Sequence, residues 1–219
     1  MNSRRGPFRG RGAAVALLLA VASSTTACLP PFSEMQSART VAPRGFEVTP
    51  FYSSVSSSED GETEKLYNQY GLLLAAGLKE NLDLRVRIER QVVTGEPDDA
   101  LTVVGAGPKL AFWNQHAALF MPIGVAFGDD IETSETVGFH PTLLFTVPLS
   151  RSVEINPSTK LLIPLKGDGE TLWAANLGLA LGPDVRRWAI RPEVGILRNP
   201  GESGYAIHYS MGASFGWGL

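Results

Sequence analysis

The sequence has one cysteine, three histidines and no excess of basic residues. With Cys28 alone, the chain has no internal disulfide and no zinc site built from several thiolates. The formal net charge is -3, and it becomes about -7 once residues 1–27, which hold four arginines and no acid, are removed. A mature chain this acidic is a poor nucleic-acid binder, so we expect no nucleic-acid partner.

Residues 1–27 predict a secretory signal peptide. A basic stretch at 4–11 precedes an apolar run at 13–22, and small residues follow before Cys28. The apolar run is about half as long as a membrane-spanning helix, so we expect the segment to be removed. Residues 28–44 are rich in proline and serine and predict an extended tether.

Cys28 follows a small residue, and this junction resembles the lipobox of bacterial lipoproteins. The resemblance implies that Cys28 becomes the lipidated first residue. The aliphatic residue that lipoproteins usually have three positions upstream is replaced by Thr25. Ordinary cleavage near Ala27 therefore stays open as the alternative, and under either hypothesis the chain leaves the cytoplasm.

From Phe46 onward, apolar residues recur with a period of two, which is typical of β-strands. Ten segments follow this rule: 45–54, 66–78, 82–93, 101–113, 116–127, 137–149, 153–165, 171–181, 188–198 and 205–219. Consecutive strands with short links predict an all-β fold, a closed antiparallel up-and-down barrel over residues 45–219. Tilted strands of about eleven residues would stand roughly 28 Å tall, which favours a transmembrane barrel.

The second face of these strands combines small residues with ten charged ones. Its charged members are Glu47, Asp83, Arg85, Arg87, Glu89, Lys109, Glu154, Lys160, Arg191 and Glu193. Because buried charges must be paired, equal numbers of acids and bases predict a lumenal ion-pair network and a mostly plugged lumen. The apolar face then points outward to lipid. A soluble barrel with a solvated charged face is the alternative.

The links sort by length and charge. Those after the odd-numbered strands are mostly longer and acidic, whereas those after the even-numbered strands are mostly short and hold Lys79, Arg151, Arg186 and Arg187. This alternation predicts outer loops at one end and periplasmic turns at the other. Aromatic residues near the strand ends fit interfacial girdles, and they include Tyr52, Trp173, Trp188 and Trp217.

With these features, the chain resembles the small outer-membrane β-barrel proteins of Gram-negative bacteria. In that family the last strand ends in alternating aromatic residues that serve as an assembly signal, and residues 209–219 hold Phe215 and Trp217 in such an alternation. The resemblance implies an outer-membrane location. It also implies contact with outer-membrane lipid, with lipopolysaccharide and with the barrel assembly machinery.

Five prolines fall inside the predicted strands, where each removes one donor from the hydrogen-bond ladder. A closed barrel has no free edge for them, so we expect bulges or kinks at these positions. The prolines are Pro108, Pro122, Pro141, Pro157 and Pro192.

The sequence favours a non-enzymatic role, structural or in surface interactions, with no cofactor and no specific metal site. Acidic outer links suit loosely bound divalent cations. One alternative is a lipid-anchored soluble barrel that binds an apolar ligand. A second is an outer-membrane lipid-modifying enzyme that uses His140 or His208, with Ser210 or Glu193 as partner.

Overall fold

The computed structural model describes residues 33–59, 61–128, 132–167, 169–201 and 204–218, with the backbone alone for 96–99. The predicted signal peptide and Cys28 lie outside the described residues, and both remain predictions. Within the described residues, no helix has the length and apolar character needed to cross a membrane.

The described part of the chain forms ten antiparallel strands. They are β1 (Phe46–Glu59), β2 (Glu62–Lys79), β3 (Leu82–Val93), β4 (Glu96–Phe112), β5 (Ala117–Phe120 and Ile123–Phe127), β6 (Gly138–Phe139, Thr142–Phe145 and Val147–Pro148), β7 (Val153–Pro164), β8 (Leu172–Asp184), β9 (Trp188–Arg198) and β10 (Tyr205–Trp217). Each strand pairs with the next, and β10 pairs with β1, where Phe46 lies opposite Trp217. The predicted closed antiparallel barrel is confirmed.

The two faces of the wall differ in exposure as the period-two pattern requires. Leu84, Leu177 and Phe215 are 42%, 52% and 41% exposed on the outside. Arg85 and Glu193, on the inside, are 2% and 6% exposed. An apolar exterior around a charged interior is the arrangement of an outer-membrane barrel. The soluble-barrel alternative is wrong, because it requires the charged face to meet water and the apolar face to line the interior.

Exposed aromatic side chains gather at both ends of the apolar exterior. One end holds Phe46, Phe112, Trp113, Trp188 and Trp217, and the other holds Tyr52, Tyr70, Trp173 and Tyr209. The period-two alternation of β4 would place Trp113 on the inward face, but β4 ends at Phe112, so Trp113 lies in the turn and is 73% exposed. The two groups form the interfacial girdles of a membrane barrel.

The links identify the two ends. Both ends of the barrel chain, at Phe46 and Trp217, lie beside the links 80–81, 113–116, 149–152 and 185–187. All four links have two to four residues. The last is shorter than the sequence pattern predicts, because β8 continues to Asp184 and leaves only residues 185–187 between the strands. Short turns at one end mark the periplasmic side. We call the opposite end the outer end.

The first outer link differs from the prediction. Residues 55–65 were expected to form a loop, but β1 continues to Glu59 and β2 begins at Glu62. A register shift between Val55 and Ser56 precedes this extension. Because backbone pairing does not require apolar side chains, the serine-rich and acidic residues continue the hairpin above the outer girdle.

The five prolines do not shift the strand register, so no bulge occurs at them, and kinks at these positions remain a prediction. Two of them, Pro122 and Pro141, lie at breaks in β5 and β6, whereas Pro108, Pro157 and Pro192 lie within unbroken strands. Register shifts occur elsewhere in the wall, for example between Gly77 and Lys79. A proline loses its donor but keeps its acceptor, which explains the constant register. The carbonyl oxygen of Pro122, for instance, accepts the N–H of His140 at 3.0 Å.

The outward position of Leu177, near the middle of β8, leads to a stability prediction. Leu177→Arg should lower the free energy of unfolding by about 2–4 kcal/mol, because it places a charge in the centre of the lipid. Ser54→Arg is the matched control, since Ser54 also faces outward but lies beyond Tyr52 in the outer direction, and its cost should be about 0–1 kcal/mol. Denaturant unfolding in lipid bilayers measures both. Equal costs would contradict the assignment of Leu177 to the lipid-facing wall.

Candidate functional site

Residues 33–44, which we call the lumen segment, lie inside the barrel. The sequence predicted an extended tether here, and the backbone has no regular secondary structure, but it does not lead away from the barrel. Seven of its residues are buried: Ser33, Glu34, Met35, Gln36, Ser37, Ala38 and Val41. Its side chains and amides contact wall residues from β1 through β7 and from β9, which is possible only from within the lumen.

The N-terminal end of the lumen segment, which lies near the middle of the barrel, is held by Glu193 on β9. The N–H groups of Glu34 and Met35 donate to the two carboxylate oxygens of Glu193, at 2.7 and 3.0 Å. Met35 is in the left-handed region, with a φ of 53°, and the N–H groups of Glu34 and Met35 both point at the Glu193 carboxylate. Adjacent amides that point at one anion form a favourable anion site.

Ion pairs fix the segment along its length. Glu34 pairs with Lys160 on β7, and Arg39 pairs with Glu154 on the same strand. Nearer the periplasmic end, the N–H of Val41 donates to Asp83 at 3.1 Å. Glu154 and Lys160 thus each receive an oppositely charged partner from the segment.

A second group of predicted residues pairs within the wall itself. Arg85 donates to Asp83 at 3.0 Å and to Glu47 at 3.1 Å, and Lys109 lies 3.4 Å from Asp83. Lys109 also donates to the carbonyl oxygen of Ser37 at 3.3 Å. This cluster therefore joins β1, β3 and β4 to the lumen segment.

Arg87 links the N-terminal end of the segment, at Ser33, to the wall. It donates to Glu89 at 2.6 Å and to the Ser33 hydroxyl at 2.7 Å. Its guanidinium also stacks 4.7 Å from the ring centroid of Phe51, a cation–π contact. Phe51 fits because its partner on β2 is Gly71, where a Cβ atom would lie 2.1 Å from the Phe51 ring.

All ten predicted network residues point inward, but the sequence did not reveal two further members. Arg191 is the least satisfied of the ten: its Nε donates to Ser214 at 2.8 Å, and its Nη1 has no hydrogen-bond partner. Glu34 and Arg39, both on the lumen segment, add one acid and one base to the five of each on the wall. The balance of charge inside the lumen is preserved.

A belt of polar side chains crosses four strands near the middle of the lumen. His208 contacts Ser210 through Nδ1 at 2.5 Å and Asn176 through Nε2 at 3.0 Å. Because an amide oxygen only accepts, the Nε2–H of His208 donates to Asn176. Ser210 lies 2.7 Å from Ser53 on β1, and Asn176 donates to Ser158 on β7 at 3.2 Å.

The outer end of the lumen contains buried apolar side chains instead. Val55, Tyr67, Leu162, Ala174 and Leu197 form one cluster, which we call the outer apolar layer. Each lies near the outer end of its strand, on β1, β2, β7, β8 or β9. Leu66, Leu172 and Ala206 pack against them. The lumen is therefore filled with ionic groups below and with apolar groups at its outer end.

The histidines do not form an accessible catalytic group in the described residues. His208 is fully buried, and Glu193 lies 3.8 Å from its Nε2. His140 packs against Gly138 and Gly124. His116 is exposed in a periplasmic turn, where Nδ1 lies 3.1 Å from the carbonyl oxygen of Thr146.

Residues 212–216 match the G-x-S-x-G pattern of hydrolases, a match that the sequence analysis overlooked. The pattern has that meaning only where a strand turns into a helix at the serine. Here Ser214 lies inside β10, is 2% exposed and accepts from Arg191. It is a lumenal hydrogen-bonding residue.

The acidic outer links give no metal centre in the described residues. No group of three or more histidine, cysteine or acidic side chains with the spacing to hold a metal ion occurs there. Asp60, Asp129 and Asp130 lie outside the described residues, as do the side chains of Asp98 and Asp99. Loosely bound divalent cations remain a prediction.

No protein-family model and no curated protein sequence matches this chain. Solved structures with a similar fold include Ail, the attachment invasion locus protein of Yersinia pestis, with 14% identity, 80% coverage of this chain, 99% of that chain and a TM-score of 0.39. The translocator domain of the autotransporter NalP from Neisseria meningitidis is 10% identical, with a TM-score of 0.43, and the match covers 93% of this chain and 96% of that chain. OprG from Pseudomonas aeruginosa is 12% identical, with a TM-score of 0.34, and the match covers 84% of this chain and 100% of that chain. We assign no function from similarity at this level.

Gly195 on β9 makes the polar belt possible, and its replacement should weaken the fold. A Cβ atom there would lie 2.0 Å from Asn176 Oδ1 and 2.3 Å from His208 Nε2. Gly195→Ala should therefore cost about 1–3 kcal/mol of unfolding free energy, from steric strain and a lost buried hydrogen bond. Gly105→Ala is the control, because its new Cβ would meet no atom closer than 3.6 Å. Urea unfolding in bilayers measures both, and equal stabilities would contradict the belt.

Proposed function

We propose that this protein is a non-enzymatic outer-membrane barrel with a closed lumen, which acts as a structural or surface-interaction element of the envelope. The observation that supports it most is the lumen segment, whose residues contact eight of the ten strands. Closure fits the barrel's size, since ten strands lie near the width that side chains alone can fill.

The lumen segment closes the periplasmic half. Its course runs from Ser33, beside Arg87 in the middle of the lumen, down to Val41, beside Asp83 near the periplasmic girdle. Along this course Ala38 packs in an apolar cluster with Leu144 and Phe120. A solute would have to displace ion pairs and packed side chains together.

The outer apolar layer closes the other half by different chemistry. Tyr67 and Val55 are 3% and 0% exposed, so water does not reach the layer from above. An ion would lose its hydration there and would meet the Tyr67 hydroxyl as the one polar side-chain group of the described cluster, which makes such a constriction a barrier even to small solutes. The two closures are independent in sequence and in chemistry.

The ends of the barrel supply the surfaces through which it would interact. Exposed acids occupy the outer end, and they include Glu59, Glu62, Glu64, Glu132, Glu135 and Glu170. Exposed bases occupy the periplasmic end, and they include Lys79, Arg151, Arg186 and Arg187. We propose that the acidic end holds divalent cations loosely and that the last strand is recognised by the barrel assembly machinery. Anchoring through a lipidated Cys28 is a further proposal.

Conductance in planar bilayers tests the closed lumen. The unmodified chain should show no steady conductance comparable to that of a general porin. Deletion of residues 33–44 alone, and Tyr67→Ser with Leu162→Ser alone, should each remain silent, because one closure stays in place. The combined variant should conduct steadily.

Folding of the deletion variant needs its own control, because removal of the segment leaves Glu154, Lys160 and Glu193 without their partners. A second deletion variant therefore carries Glu154→Gln, Lys160→Gln and Glu193→Gln, and circular dichroism verifies its strand content. Steady conductance of the unmodified chain would refute the closed lumen. Steady conductance of a folded deletion variant would refute the second closure at the outer apolar layer.

The absence of catalysis is tested with phospholipid substrates in mixed micelles. Ser210, His208 and Glu193 are all buried, and no substrate bond can approach them while the lumen segment is in place. The purified chain should release no fatty acid above a protein-free control. Fatty-acid release that disappears in His208→Ala but persists in His116→Ala would refute the non-enzymatic role.

A further inference from the structure

Two arginines depart from the otherwise uncharged exterior of their strands. Arg90 on β3 and Arg198 on β9 are exposed and occupy outward-facing positions. Below them, the outward positions of the same strands hold only uncharged side chains, namely Leu84, Val86 and Ile88 on β3 and Ile190, Pro192, Val194 and Ile196 on β9. Both arginines therefore lie where the apolar exterior ends on the outer side.

Arg90 stands beside part of the outer aromatic girdle. Its Cα partners are Tyr70 on β2 and Thr102 on β4. The ring of Tyr70 lies 5.3 Å from that of Tyr52, whose hydroxyl donates to Asn68 at 2.7 Å. The guanidinium thus has a hydroxyl and two exposed aromatic rings within reach of one lipid headgroup.

Arg198 has the same surroundings on the other side of the barrel. Its Cα partners are Trp173 on β8 and Tyr205 on β10, both exposed aromatic residues. The indole of Trp173 donates to Thr159 at 2.8 Å, which fixes the ring at the interface. Two unconnected strands thus repeat one combination, an arginine flanked by outward aromatic side chains at the outer girdle.

Arginines at the periplasmic end occupy turns and not strand positions. Arg151 and Arg187 lie in turns, and both approach Asp184, at 2.8 and 3.9 Å. Both are positioned beyond the wall, in the turns that join its strands. Arginine at the level of the lipid headgroups is therefore, among the described strands, a feature of the outer girdle.

We propose that Arg90, with Tyr70, and Arg198, with Trp173 and Tyr205, bind the phosphate groups of lipid A in the outer leaflet. A guanidinium matches a phosphate with two parallel hydrogen bonds, and its stem packs along apolar surface while the head reaches the headgroup. Tyrosine and tryptophan prefer this depth and supply additional donors. The inference rests on the outer-membrane location and not on closure of the lumen.

Binding of purified lipid A to the full chain in detergent, measured by native mass spectrometry, tests the proposal. Arg90→Gln with Arg198→Gln should weaken the binding about tenfold or more, since the charged hydrogen bonds to phosphate are lost at both sites. Arg151→Gln with Arg187→Gln, the matched control, should change it less than about twofold. Arg90→Lys with Arg198→Lys should restore part of the affinity, because lysine keeps the charge but not the paired geometry.

Two further probes identify the ligand. Dephosphorylated lipid A should bind weakly to the unmodified chain and should not distinguish it from the double glutamine variant. Phosphatidylglycerol should bind more weakly than lipid A. Unchanged lipid A binding by the double variant, or equal binding of the dephosphorylated form, would refute the phosphate sites. Equal, arginine-dependent binding of phosphatidylglycerol would refute lipid A as their occupant. None of these outcomes bears on conductance, which tests the closed lumen separately.

Discussion

The structure depends on one constraint, which is that charges removed from water inside the barrel must each have a partner. Among the residues that the structure describes, twelve charged side chains lie in the lumen, ten on the wall and two on the lumen segment. A single unpaired charge in this environment costs several kcal/mol, whereas a paired and hydrogen-bonded one is tolerated. The wall alone does not meet this requirement, because Glu154 finds its counter-ion, and Glu193 its two N–H donors, on the segment.

The lumen segment is therefore part of the fold and not an attachment to it. Glu193 shows the reason most clearly, since its carboxylate is satisfied by two backbone amides of the segment and not by a basic side chain. A barrel that closed without the segment would bury this carboxylate without donors. Conversely, the polar groups of the segment are held by charged and hydroxyl side chains of the wall, such as Glu193, Lys160 and Thr146. Wall and segment each supply what the other lacks.

Sequence reasoning predicts the barrel well and the lumen segment poorly, for a physical reason. The alternation of Leu84, Val86 and Ile88 with Arg85 and Arg87 is local, so it identifies both the strand and its two faces. The partners of the segment are remote, with Glu34 and Glu193 separated by 159 positions, and no local period announces such contacts. Serine, glutamate and proline in residues 28–44 have the composition of a linker. For the same reason the prolines suggested bulges, although a constant register follows once the neighbouring strands supply donors to their carbonyl oxygens.

The two closures of the lumen also strengthen one another. The outer apolar layer excludes water from above, which lowers the local dielectric constant and makes every ion pair below it stronger. The same exclusion raises the cost of any charge left without a partner, so the layer makes the lumen segment more necessary. Tyr67 and Lys160 are thereby coupled through the local dielectric constant. A barrel with an open outer end could hydrate its lumenal charges and tolerate an empty lumen. Here Val55, Tyr67 and Leu162 close the outer end. The lumenal charges below them are therefore shielded from water on that side and need partners within the protein.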